Sequence, residues 1–319
     1  MAAEDTYWPM DSSAHPRFAG PVSFFRLPML DDPAAVDIAL VGLPWDGGTT
    51  NRAGTRHGPR EIRAASTLIR PFHHVTRRSP YSHARIADLG DAPVNPIDIA
   101  DSLDKVAGFF RRIHAAGARP VTAGGDHLVT LPILRAVAQG GPVGLIQFDA
   151  HADVNDSYFG GHRYTHGTWL RRAIEEGLVD PHRCVQIGIR GARYSADGGD
   201  YSDRVGLRTL YIEEVFERGP KAVAEVIRGV VGERPAYLTF DVDGLDPVYA
   251  PGTGTPEVGG YTTHDAQVML RGLSGLNLIG ADVVEVSPPF DPSGNTALVG
   301  ATMLFEILCL VADARLAHG

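Results

Sequence analysis

Val143-Gly144-Leu145-Ile146-Gln147-Phe148 runs without a break into Asp149-Ala150-His151-Ala152-Asp153. The first six residues are apolar nearly throughout, the pattern of a parallel strand covered on both faces. The next five place an acid or an imidazole at every second position. In extended chain, side chains at i, i+2 and i+4 point the same way. Asp149, His151 and Asp153 can therefore converge just beyond the strand, which predicts a buried strand with chemistry at its carboxyl end.

The same arrangement occurs twice more. Pro120–Ala123 runs into Gly124-Gly125-Asp126-His127, and Ala236–Phe240 runs into Asp241-Val242-Asp243. Other apolar runs read as strands at Ile38–Leu43, Arg85–Leu89, Cys184–Ile189, Leu207–Tyr211 and Leu278–Val284. Amphipathic stretches between them predict helices at Ile99–Ala116, Leu131–Ala138, Thr168–Glu176, Lys221–Val231 and Thr263–Leu273. Repeated βα units imply a parallel sheet with covering helices. Spacing alone leaves both an open sheet and a closed (β/α)₈ barrel available, and either puts an active site at the carboxyl ends of strands. Residues 1–30 differ, with four prolines among Trp8, Phe18, Phe24 and Phe25 and no sustained period. They read as an N-terminal arm lying across its own domain or a neighbouring subunit, with a single domain over 31–319.

Composition removes several classes of function. The 319 residues carry 29 Lys+Arg against 38 Asp+Glu, a formal charge of −9, and no basic block. Phosphate neutralisation needs clustered cations, so nucleic acid is not expected as a partner. The longest apolar stretch, Ala297–Ala312, includes Glu306 and falls short of the roughly 18–20 residues of a membrane span. Met1-Ala2-Ala3-Glu4-Asp5 lacks the basic and apolar regions of a secretion signal. Cys184 and Cys309 make no disulfide framework. The expectation is a globular protein of the cytoplasm, with no membrane partner.

His127, Asp149, His151, Asp153, Asp241 and Asp243 together bring two imidazoles and four carboxylates to one rim. Four clustered carboxylates would repel, and several would protonate. Divalent cations remove the conflict, and mixed oxygen and nitrogen donors suit Mn²⁺, Zn²⁺, Fe²⁺, Co²⁺ or Ni²⁺. One open catalytic metal requires about three protein ligands. If two carboxylates bridge, six residues serve two ions roughly 3.5–4 Å apart, and a water between them becomes a nucleophile near neutral pH.

These strings make the sequence recognisable. Gly124–His127, Asp149–Asp153, His166-Gly167-Thr168, Asp241–Pro247, Pro251–Glu257 and Glu285-Val286-Ser287-Pro288 occur in the order of the ureohydrolase (arginase–agmatinase) family, which the chain resembles over about residues 15–312. The resemblance implies an α/β, three-layer α/β/α arginase–deacetylase-like fold with a parallel sheet of about eight strands. It also implies hydrolysis of a guanidino group to urea and an amine by a metal-bridging hydroxide. Two divalent ions per chain are implied, Mn²⁺ first and Ni²⁺ as the alternative, in a homo-oligomeric trimer or hexamer. Carried over by position, Asp149 and Asp241 would bridge the ions. His127 and Asp153 would complete one site, and His151 and Asp243 the other. Asp153 would also aim the nucleophile. Glu285 would face the guanidinium, a planar cation suited to bidentate pairing with a carboxylate. Thr255 would help hold it, and His166 would carry a proton to the leaving amine.

The substrate tail is expected against Asp153–Gly160. Asn155 matches an amide that faces a carboxylate in relatives acting on guanidino acids, with Tyr158 beside it and His162, Arg163 and Arg190 as basic candidates for the same group. Pro44–Gly54, His73-His74-Val75 and Gly90–Pro96 resemble the branch acting on 3-guanidinopropionate, whereas Asp149–Asp156 is similar to the branch acting on 4-guanidinobutyrate. The small-molecule substrate expected is thus an ω-guanidino acid, the shorter one favoured. Agmatine or an alkylated guanidine on the same fold is the alternative, and a non-catalytic guanidino sensor is the rival from another class. His73 and His74 read as a solvated loop.

Overall fold

Eight parallel strands form one sheet in this computed structural model, which describes residues 7–193 and 200–319. They are β1 (Ile38–Gly42), β2 (Ile86–Asp91), β3 (Arg119–Ala123), β4 (Val143–Phe148), β5 (Val179–Ile189), β6 (Arg208–Tyr211), β7 (Ala236–Asp241) and β8 (Leu278–Val284). Their order is β2-β1-β3-β8-β7-β4-β5-β6. β2 and β6 stand at opposite ends of this order and do not pair with each other, so the sheet is open and the barrel alternative falls.

Helices cover both faces. α1 (Gly58–Ser66), α6 (Ile212–Arg218), α7 (Pro220–Val231), α8 (Thr263–Arg271) and α9 (Asn295–His318) share one core, and α2 (Ile99–Ala115), α3 (Thr130–Val137), α4 (Trp169–Glu175) and α5 (Asp200–Val205) lie on the other. The period of two explains why the strands are apolar at nearly every residue. In β4, Val143 and Leu145 enter one core while Ile146 and Phe148 enter the other.

This order places the chemistry. The three strands that end in acid or imidazole, β3, β7 and β4, are neighbours in the middle of the sheet, separated only by β8. Phe148 pairs with Phe240, Phe240 with Val283, and Val283 with Ala123. One residue further along each strand, the tips stand side by side where the chain order jumps across the sheet, the usual ligand position in open α/β folds.

Two sequence expectations need correction. The stretch ending at Ala312 belongs to α9, which runs 24 residues and is long and apolar enough to cross a membrane, but 78% of its most apolar window is buried inside the protein. Apolar all round, it is a core helix. Its Glu306 is buried against Arg271, and His73 Nε2 lies 2.9 Å from the same carboxylate. His73 is therefore buried and hydrogen-bonded, not solvated. Helix α1 escaped detection because its inner face carries Arg63, which pairs with Asp88 at 2.9 Å.

The first six residues lie outside the described ones. Beyond them, Trp8 sits 6.0 Å from Phe72 and 6.2 Å from Tyr81, ring to ring. Phe24 and Phe25 enter the core.

Candidate metal centre and substrate pocket

The tip of β3 is built for close approach. A Cβ on Gly125 would fall 1.6 Å from the Trp45 carbonyl oxygen, so only glycine fits there. Asp126 then accepts from Leu128 N and from Gly48 N at 2.6 Å, fixing both its own turn and the 46–50 loop. Burial, with Glu285 nearby, pushes the Asp126 carboxyl up to about 7 against the pull of His166.

His127 follows. Its Nε2 lies 2.8 Å from Thr239 Oγ1, whose hydroxyl donates to Asp282 at 2.5 Å. Nε2 is therefore the donor, and in the neutral ring Nδ1 is left as an acceptor. That Nδ1 is buried, has no hydrogen-bond partner, and faces Asp149 Oδ2 at 3.0 Å, Asp241 Oδ2 at 3.1 Å and Asp153 Oδ2 at 3.2 Å. A buried lone pair among three carboxylate oxygens is satisfied by a cation, which is the fit expected of a metal ligand oriented from behind.

His151 stands across Asp149, its Nδ1 3.1 Å from Asp243 Oδ2 and 3.6 Å from Asp149 Oδ1. Asp149 thus turns one oxygen to each imidazole, held by Gln147 Nε2 at 2.8 Å and His151 N at 2.7 Å. Two groups of donor atoms could each hold an ion: His127, Asp149 and Asp241, and Asp149, His151 and Asp243. Asp153 joins the first through His127 and accepts from Trp169 Nε1 at 2.7 Å, its backbone in the left-handed region at φ 54°.

The titration pattern tells the same story. Burial raises the carboxyl of Asp241 well above its ordinary value, with Asp243 and Asp149 adding to it. Burial also raises that of Asp153, helped by Asp149. Burial would lower both imidazoles, yet the surrounding aspartates raise His127 and His151 well above normal. Without cations the cluster would have to take up protons.

Glu285 stands beside this cluster at the end of β8, also left-handed at φ 65°. Its Oε1 accepts from His127 N at 3.0 Å and from His166 Nδ1 at 2.8 Å. Its Oε2 is buried with no partner. His166 Nε2 rests on Thr50, 3.2 Å from the amide and 2.7 Å from the hydroxyl. Burial would lower the His166 imidazole, but Glu285, Asp126 and Asp153 push it up to about 9. Thr50, His127, Asp153 and His166 border a cavity of about 530 Å³ that also meets Asn155, Tyr158 and Thr255, with Glu285 buried behind His166. Asn155 Nδ2 donates to Tyr158 Oη at 2.8 Å, and the Thr255 hydroxyl donates to Asp243 at 3.3 Å.

The sequence model of the Arginase family matches residues 36–310. The chain belongs to the arginase family. As a member it is a hydrolase, and its nearly full-length similarity to other members is high. It is 60% identical to a guanidinopropionase of Pseudomonas aeruginosa, covering 96% of each chain. It is 46% identical to a guanidinobutyrase of the same organism, covering 97% of this chain and 98% of that one. Among solved structures, the proclavaminate amidino hydrolase of Streptomyces clavuligerus superposes with a TM-score of 0.90 at 38% identity, covering 94% of this chain and 99% of that one. The three-layer α/β/α arginase fold expected from the motifs is the fold observed.

Three basic residues do not sit as expected in this arginase-family pocket. Arg163 turns outward to pair with Glu175 at 2.7 Å, and His162 is exposed in the same hairpin. Arg190 does line the cavity, but it spends its donors on main-chain carbonyls, including those of Gly188, Asp243, Gly244 and Glu257. It clamps loops together and has no donor to spare for a substrate carboxylate. Sequence reasoning also missed Gln147, Thr239, Asp282 and Thr50, which hold the site from behind. Gln147, Thr239 and Asp282 are polar residues inside otherwise apolar strands, the one signal that could have exposed them.

Proposed function

We propose that the protein hydrolyses the guanidino group of a small ω-guanidino acid to urea and the ω-amino acid, with 3-guanidinopropionate preferred and 4-guanidinobutyrate next. The observation that carries this reading is the buried, unpartnered Oε2 of Glu285 beside a cluster of imidazoles and carboxylates. A guanidinium satisfies such an oxygen with a charge-assisted hydrogen bond. The 60% identity to a guanidinopropionase supports the choice of acid.

His127, Asp149, Asp153 and Asp241 would hold one divalent ion, and Asp149, His151, Asp241 and Asp243 a second. The mixed donor set suits several divalent ions, and the family resemblance puts Mn²⁺ first with Ni²⁺ as the alternative. Bound there, the pair supplies an activated water near neutral pH. Glu285 orients the guanidinium carbon, and Thr255 steadies it from the opposite loop. Water adds to that carbon as the bond to the tail nitrogen breaks, and the departing nitrogen needs a proton because an alkylamide anion is too basic to leave. His166, whose imidazole Glu285, Asp126 and Asp153 push up to about 9, would carry that proton. Asn155 and Tyr158 form the tail wall.

Glu257, a carboxylate on the cavity wall, is a feature that favours agmatine, whose tail is an ammonium. Urea release from 3-guanidinopropionate, 4-guanidinobutyrate, agmatine and arginine, side by side with Mn²⁺ or Ni²⁺, tests the assignment. Faster turnover of agmatine than of both acids would overturn it. The exposed apolar side chains Phe18, Phe72 and Val75 support assembly into a trimer or hexamer, which light scattering reads directly.

A further inference from the structure

The two imidazoles of the cluster are supported unequally. His127 has its outer nitrogen tied through Thr239 to a buried acid, Asp282. His151, with its Nδ1 turned to Asp149 and Asp243, presents Nε2 to the cavity and is partly exposed. Among the described residues, the acid opposite that nitrogen is Glu257, with Oε1 4.0 Å away.

Glu257 is not a loose surface acid. Arg190 Nη2 donates to the Glu257 carbonyl at 2.8 Å and to the Asp243 carbonyl at 2.7 Å, so one guanidinium ties the backbone bearing Glu257 to the backbone bearing Asp243. Gly191, at φ 80°, makes the room. A Cβ there would come within 2.6 Å of the Glu257 carboxyl carbon. The backbone of Glu257 is thus pinned from behind and its carboxylate given room, 4.0 Å from His151 Nε2, where a small torsional shift closes the gap.

We propose that Glu257 is a positioning residue for His151, accepting its Nε2–H and so fixing the tautomer and ring plane that turn Nδ1 toward Asp149 and Asp243. A carboxylate behind a metal-ligating histidine raises its donor strength and sets its orientation, and losing such a partner costs about 10–100-fold in metal affinity. This role rests on the two-ion reading of the cluster above. Asp282 reaches His127 through a threonine, whereas Glu257 would reach His151 directly from the cavity wall.

The test is calorimetric titration of metal-free full-length protein with Mn²⁺ alone, for the wild type, Glu257→Ala and Glu257→Gln, with the melting temperature of each metal-free form. Glu257→Ala should bind one ion as the wild type does and the other ~10–100-fold more weakly, with its melting temperature unchanged. Glu257→Gln, whose amide oxygen still accepts a hydrogen bond, should recover most of the loss. Two wild-type affinities in Glu257→Ala would overturn the role, and so would equal weakening of both ions. A wild type that takes up fewer than two ions would instead overturn the two-ion reading, and this role with it.

Discussion

His166 Nδ1 and Glu285 Oε1 lie 2.8 Å apart, both side chains buried, and the second oxygen of that carboxylate has no partner. One acid thus holds the imidazole with one oxygen and leaves the other buried and unpaired, the oxygen that the proposed function gives to the guanidinium. On the proposed function, binding and proton delivery are linked through this single side chain, which predicts a particular pH dependence.

With its pKa pushed up to about 9, His166 is protonated below that pH and loses its proton as pH rises through it. Turnover should therefore fall on the alkaline side near pH 9. Glu285→Gln removes the nearest charge raising that pKa, so the alkaline limb should move to lower pH while KM rises. A limb that stays in place in kcat–pH profiles of the variant would separate His166 from the proton transfer.

His166→Ala should keep its metal and lose ~10²–10⁴-fold in kcat, the usual worth of a positioned general acid. Thr50→Val, which removes the hydroxyl 2.7 Å from His166 Nε2 but leaves the amide, should cost less. Steady-state kinetics with metal analysis on the same samples checks both.

Asn155 and Tyr158 are joined by a 2.8 Å hydrogen bond on the cavity wall. Asn155→Ala should raise KM for guanidino acids more than for agmatine. Equal changes for the acidic and the cationic tail would remove Asn155 from carboxylate recognition.

Gly125→Ala should be among the most destabilising single-methyl additions available to the chain. The new Cβ would sit 1.6 Å from the Trp45 carbonyl oxygen, a clash with main chain that no side-chain torsion relieves. Loss of about 3 kcal/mol in urea unfolding, with weakened metal binding because His127 lies two residues on, is expected.

The sheet was legible because the strands follow a simple rule. Buried on both faces, β4 and β8 show apolar runs interrupted only by Gln147 and Asp282, and their limits match the sequence reading at both ends. Five of the six candidate ligands were legible because they follow such runs at spacings of two, and His127 because it closes the Gly-Gly-Asp-His turn after a third. What stayed hidden depends on tertiary contact. Arg190 looks in sequence like a free cation near the site, and only the convergence of three loops on it reveals a clamp. His73 looks like loop, and only α9 bringing Glu306 beneath it makes it a buried partner. Helix α1 buries an arginine against Asp88, which no amphipathic pattern announces.

Three strand tips are proposed to share a pair of divalent ions through Asp149. The direct measurement is the metal content of Mn²⁺-loaded protein by mass spectrometry, with anomalous scattering at the manganese edge to place the ions, repeated on Asp149→Asn. The prediction is two ions per chain on either side of Asp149 and loss of most of both in the variant. A single ion in the wild type, or two retained in Asp149→Asn, would contradict it.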